Sequence, residues 1–140
     1  MENAAVIFID SNYWIYLFDE TTEEHIYVKN HFEKIYDQYQ IAINIPVMIE
    51  VMHYLVKRLG ANLAKPIWDI FSSMNFIYDD LTFQDLDLVF NKLSDFTHTG
   101  IGARDATLLT SMKKLSVQKI CTHDKSFKQI PNIEVIDPIP

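Results

Sequence analysis

The sequence predicts an α/β fold, a central parallel sheet of 4–5 strands with helices on both faces. Three observations predict it. Short, continuously apolar segments rich in β-branched residues recur along the chain, as in Ala4–Ile9 (AAVIFI), and such runs suit strands covered on both faces. Longer segments with apolar residues at helical spacing lie between them. The two kinds alternate, which implies helical crossovers between parallel strands.

Ala4–Ile9 is the first strand. Thr21-Thr22-Glu23-Glu24 has the form of a capped helix start, followed by Ile26, Val28, Phe32, Ile35 and Tyr36 for an inner face. Ile41–Ile45 is a second strand. Pro46 suits the first turn of a helix that runs to about Leu59, where Gly60 ends it. A further helix covers Ala61–Met74, and Asn75–Tyr78 is a short strand. Thr82-Phe83-Gln84-Asp85 opens another helix, with Leu86, Val89, Phe90, Leu93 and Phe96 along one stripe. Gly100 and Gly102 mark a turn before a helix from about Ala103 to Leu115. Val117–Cys121 and Ile133–Ile136 complete the strands. With 3 glycines, 5 prolines and no repeat or low-complexity segment, residues 1–140 read as a single domain.

Composition narrows the class. The chain is 49% hydrophobic and 13% aromatic, which excludes a disordered polymer. Its length suffices to bury roughly two thirds of the unfolded surface without a disulfide or structural metal. The lone Cys121 lies in an apolar run, as expected of a buried, reduced thiol in a cytoplasmic protein. Glu2 stands where a signal peptide carries basic charge, and no stretch approaches the ~18 apolar residues of a membrane span, so neither secretion nor a membrane is expected.

The net charge of −7 is unevenly spread. Residues 1–97 carry 6 Lys/Arg against 15 Asp/Glu, whereas residues 98–140 carry 6 against 4. Arg104, Lys113, Lys114, Lys119, Lys125 and Lys128 share their stretch with only Asp105 and Asp124. This is either a solvated basic surface or a patch that attracts phosphate beside two acids.

Asp10 directly follows the first strand and Asp124 follows Val117–Cys121 in Thr122-His123-Asp124. In a parallel sheet both lie at carboxyl ends of strands, where ligands bind, although either could simply cap a helix. Asp105 shares a helical stripe with Ile101, Leu108, Leu109, Met112 and Leu115, the face expected to point inward. A buried carboxylate costs several kcal/mol unless compensated, and Arg104, pointing about 100° around the helix, reads as an imperfect partner. Glu50 falls opposite the apolar stripe Met48, Val51, Met52, Leu55 and Leu59, so periodicity alone gives a solvated glutamate.

Taken together, these segments resemble PIN-domain ribonucleases, including the toxins of VapBC toxin–antitoxin pairs. The resemblance covers nearly the whole chain. It rests on Ile9-Asp10-Ser11-Asn12, Val47-Met48-Ile49-Glu50-Val51, Ala103-Arg104-Asp105-Ala106-Thr107-Leu108-Leu109 and Thr122-His123-Asp124-Lys125-Ser126-Phe127. It implies catalytic, metal-holding roles for Asp10, Glu50, Asp105 and Asp124, with Ser11, Asn12, Thr122 and Ser126 supporting them. Where many relatives have a further acid, this chain has Ser126, which implies a weaker second metal position. Arg104, Lys125 and Lys128 are the expected phosphate contacts.

Clustered carboxylates repel one another unless a cation lies between them, and oxygen-only ligands suit Mg²⁺ or Mn²⁺. The expected reaction is hydrolysis of RNA to 5′-phosphate and 3′-hydroxyl ends. The expected setting is a homodimeric toxin with a cognate antitoxin; a housekeeping RNA-processing nuclease and a catalytically weak RNA-binding scaffold are the alternatives. A haloacid-dehalogenase phosphatase needs an acid where Asn12 stands, and P-loop and Rossmann glycine patterns are absent.

Overall fold

A computed structural model describes residues 5–140 of the chain; Glu2 and Ala4 lie outside them. Five strands form one all-parallel sheet: β1 (Ala5–Ile9), β2 (Tyr39–Asn44), β3 (Phe76–Asp79), β4 (Lys119–Cys121) and β5 (Glu134–Ile136), in the order β3-β2-β1-β4-β5. Six helices connect them: α1 (Ser11–Phe18), α2 (His25–Ile35), α3 (Ile45–Leu59), α4 (Ala61–Ser72), α5 (Leu86–Phe96) and α6 (Ala103–Leu115). The expected α/β class is thus the observed one. Successive strand residues point to opposite faces. Because Ile7, Phe8 and Ile9 are all fully buried, both faces of the central strand are covered.

Three elements differ from expectation. Residues 11–18, unassigned from the sequence, form α1. Its residues are nearly all apolar or aromatic, so no polar stripe marks a helix. Asp10 caps it, and Trp14 anchors it by donating from Nε1 to the Ile9 carbonyl at 3.2 Å while its ring packs against Phe71 and Phe76. The expected cap at Thr21–Glu24 does not form. Thr21 instead donates its N–H and hydroxyl back to Asp19 Oδ1, and α2 begins only at His25. Before α5, Thr82 and Asp85 close a single 3₁₀ turn, the Thr82 N–H donating to Asp85 Oδ2 at 2.8 Å. The stripe expected to face inward on α5 is only partly covered, with Leu86 53% and Phe90 68% exposed.

The all-parallel arrangement brings every strand's carboxyl end to one edge of the sheet. Reading across it, that edge carries Asp79, Asn44, Asp10, Thr122 and Asp137, each the last residue of a strand or the one after it. α6 is largely buried, from Asp105 to Met112 with Thr107 less covered, and both its ends reach this edge.

Candidate active site

Each predicted acid is held in place by backbone that its own element supplies. Asp10 continues the β1–β4 ladder, donating its N–H to the Cys121 carbonyl at 3.0 Å, and its carboxylate is fully buried. That carboxylate accepts from the Ser11 N–H at 2.7 Å, the Thr122 hydroxyl at 2.8 Å and Arg104 Nη1 at 2.9 Å. Glu50 is delivered by α3, whose start is fixed by Asn44. The Asn44 side chain accepts from the Val47 N–H at 3.0 Å and donates to Ser111 Oγ at 3.0 Å and to the Thr107 carbonyl, both on α6. So placed, Glu50 accepts from the Ser11 hydroxyl and forms an ion pair with Arg104 Nε at 3.0 Å. The solvated position that periodicity gave it is only half right: both its oxygens are engaged in the cluster while the side chain remains 39% exposed.

Asp105 lies in the first turn of α6, where the Gly102 N–H donates to it at 3.2 Å and Arg104 Nη2 at 2.7 Å. Burial pushes its carboxyl above the usual range; the Gly102 hydrogen bond and Arg104 oppose that rise, and the charges of Asp124 and Asp10 add to it. Asp124 caps the turn after β4, accepting from the N–H and the hydroxyl of Ser126 at 2.9 and 2.7 Å. Its backbone N–H donates to Thr122 Oγ1 at 3.0 Å. Asn12 completes the lattice, donating to Thr122 Oγ1 at 3.2 Å and accepting from the His123 N–H at 3.3 Å. Ser11, Asn12, Thr122 and Ser126 all therefore touch an acid directly or through one intervening hydroxyl.

Arg104 departs from its expected place. It is no imperfect partner of Asp105: its long side chain reaches across the edge, and its three nitrogens contact Asp10, Glu50 and Asp105 at 2.9, 3.0 and 2.7 Å. Burial works against its charge, but the attraction of Asp10, Glu50 and Asp105 outweighs that and holds the guanidinium protonated. The planar fork of arginine suits such multiple contacts. Lys125 and Lys128 are exposed, and neither forms a salt bridge among the described residues. The basic stretch is less of a patch than it looked, since Lys114 pairs with Asp79 and Asp85 and Lys119 lies over the Tyr39 ring.

Two contributors escaped the sequence reading. Asn44 had one available signal, an asparagine at a strand end just before a proline-initiated helix. The bridging role of Arg104 had none, because only the packing of α6 against the sheet brings it to Asp10.

The donor set fits a hard divalent cation: four carboxylates, oriented by hydroxyls and backbone N–H groups, with one cationic group already between three of them. Their present spacing is set by the guanidinium. Among the described residues no three acidic, histidine or cysteine side chains close on a common point.

The PIN domain family model matches residues 7–133. Among solved structures, the chain is similar to VapBC2 from Rickettsia felis bound to a promoter DNA fragment, with a TM-score of 0.73 and 19% identity over 94% of this chain and 98% of that one. It is also similar to VapC20 from Mycobacterium tuberculosis, described as a sarcin–ricin loop cleaving toxin (TM-score 0.72, 19% identity, 87% and 92% covered). A third is DNA-bound VapBC from Salmonella typhimurium (TM-score 0.71, 16% identity, 96% and 98% covered). At these identities the structural likeness speaks for the fold alone. No curated protein sequence matches the chain.

Proposed function

The chain belongs to the PIN domain family, and from that premise we propose that it is a metal-dependent endoribonuclease, the toxin of a toxin–antitoxin pair. The observation that carries this reading is the convergence of Asp10, Glu50 and Asp105 on a single cation, Arg104, with Asp124 near enough to perturb Asp105. The toxin assignment draws support from the similarity to VapC20 and to the VapBC complexes.

In this proposal residues 1–140 act as one nuclease domain, and Asp10, Glu50, Asp105 and Asp124 hold Mg²⁺ or Mn²⁺. Held by these four carboxylates, a divalent ion would supply acidification of a water and stabilisation of the departing 3′ oxygen, the chemistry that gives 5′-phosphate and 3′-hydroxyl ends. The chain's own residues supply orientation. Thr122 and the Ser11 N–H fix Asp10, Ser126 fixes Asp124, and the Ser11 hydroxyl spans Asp10 and Glu50. Arg104, released from the acids, lies beside the scissile phosphate, for which its fork geometry is suited. Lys125 and Lys128 contact flanking phosphates. The exposed apolar residues of α3 and α4, among them Ile49, Met52, Val56 and Leu63, receive a cognate antitoxin, and exposed aromatic side chains such as Tyr27 and Tyr36 contribute to a homodimer. The protein acts in the cytoplasm.

The test is incubation of the purified protein with total RNA and Mg²⁺ or Mn²⁺, followed by mapping of the cut ends. Discrete cuts bearing 5′-phosphates are expected, lost on addition of EDTA. Undiminished cleavage under full chelation, or none with metal present, overturns the reading.

A further inference from the structure

Next to the acid cluster lies a shallow groove of about 400 Å³ lined by Ile15, Glu50, His53, Tyr54, Lys57 and Arg58. Five of these belong to α3 at positions 50, 53, 54, 57 and 58, the spacing that places residues on one face over successive turns. Glu50 is common to the groove and the cluster, so the groove opens onto the acids. Moving away from it along α3, the basic side chains are His53, Lys57 and Arg58, all exposed. No salt bridge engages His53 or Lys57 among the described residues, and Arg58 makes only a 3.7 Å contact with Asp19 while remaining 59% exposed. Asp19 is already satisfied by Thr21 and by the Tyr54 hydroxyl, which donates to it at 2.5 Å and so fixes the Tyr54 side chain at the groove.

We propose that this face of α3 is a subsite for a single RNA strand, with Lys57 and Arg58 on backbone phosphates and Tyr54 and His53 against an unstacked base. The proposal rests on the ribonuclease reading above and names where the strand lies beyond the cleaved bond. In a chain of net charge −7, cations leading directly out of the acid site are the complement of a polyanion that must enter it. Rings among those cations favour unpaired bases over a duplex, whose bases are already stacked. The seven residue steps from Glu50 to Lys57 span about 10 Å of helix, the rise of about three stacked nucleotides. The neighbouring face of α3 differs in kind. There Met52, Leu55, Val56, Ala64 and Trp68 line an apolar cleft against α4, better matched to a protein partner than to RNA.

The experiment measures binding apart from cleavage. A fluorescein-labelled oligouridylate is titrated with protein in EDTA at several salt concentrations and followed by anisotropy. Lys57→Glu should weaken binding about tenfold at low salt. The Lys57→Ala, Arg58→Ala double variant should reduce the salt slope by about 0.7 per lost phosphate contact. Lys34→Glu, the same charge change on α2, should leave both quantities near wild type, and matched melting temperatures show that the variants are folded. The assignment is overturned if Lys57→Glu and Lys34→Glu weaken binding equally. It is also overturned if the groove variants keep RNA affinity but lose a protein partner that wild type captures. If wild type neither binds the oligomer nor cleaves RNA with metal, the ribonuclease reading falls too; if it does both and the groove variants match it, the groove assignment alone falls.

Discussion

The two ends of α6 each bring one cation to a buried group of acids at the same edge of the sheet, and the two groups are built differently. At its start Arg104 meets Asp10, Glu50 and Asp105, with Asp124 nearby, so acids outnumber the cation by a wide margin. At its end Lys114 Nζ lies 2.6 Å from both Asp79 and Asp85. Around Arg104 the carboxylates also accept from Ser11, Thr122 and Gly102, and Glu50 stays partly open to solvent. Around Lys114 both acids are largely enclosed, and Asp79 Oδ2 is buried with no partner among the described residues. The first group is an oriented surplus of negative charge with an opening. The second is a clamp that ties α6 to the turn after β3. What sets the proposed site apart from a structural ion pair here is the excess of oriented oxygen and its access to solvent, not the mere presence of buried acids.

The largest expected difference between the ends is in cleavage. Asp105→Asn should lower it about a thousandfold, the several kcal/mol a metal ligand supplies, whereas Asp79→Asn should leave it near wild type. Equal losses in the two variants would erase the distinction. Because burial already disfavours the charge on Asp105, the asparagine variant should melt no lower than wild type without metal, and Mn²⁺ should raise its melting point less. Thr122→Val removes the hydroxyl that joins Asp10 to the Asp124 loop, and cleavage should fall by about ten- to a hundredfold with little change in stability. Lys114→Met leaves two acids without their cation. With Lys114 30% exposed, solvent screening limits the cost to about 2 kcal/mol, read by urea denaturation, with cleavage preserved. Arg104→Met should tighten Mn²⁺ binding to the metal-free protein by about tenfold in calorimetry. Weaker binding would mean that the guanidinium supports the ion instead of competing with it.

The smallest effect is in pH dependence, where the two ends run in opposite directions. The Lys114 hydrogen bond, chiefly, holds Asp85 below the usual carboxylate range, so its contribution to stability is present above about pH 4 and fades as the pH falls further. Asp105 is held above that range, so its ionisation in the folded protein costs stability at neutral pH, and the cost disappears on acidification. The penalty of Asp85→Asn and the benefit of Asp105→Asn should both shrink as the pH approaches 3 to 4 (about the unperturbed range). Parallel melting curves that keep either difference constant would show that the assigned titrations are wrong.

How much of this could be read from the chain varies with the range of the interaction. Strands announced themselves because Ala5–Ile9 and Ile41–Ile43 are apolar on both faces, a local property. The buried face of α6, Asp105 included, was visible as a stripe. Hidden was α1, whose aromatic run has no polar side to show its period, and the exposure of Leu86 and Phe90, since apolar spacing does not report whether another element arrives to cover it. Asp10, Asp105 and Asp124 stood out by position, yet Glu50 needed the family resemblance, because its place depends on Asn44 tying α3 to α6. The bridge from Arg104 to Asp10 joins residues 94 positions apart, which no local pattern encodes.

The hydrogen bond between Thr122 and Asp10 joins residues 112 positions apart, and β1 lies at the centre of the sheet with β4 as one of its two neighbours. Such a closure is slow relative to local structure and belongs late in folding. During synthesis β1 can pair with β2 early, but the edge where Asp10 meets Thr122 waits until β4 and the residues after it have been made. On the function proposed above, the order of manufacture is itself a safeguard: no growing fragment that still lacks β4 and Asp124 carries the assembled acids.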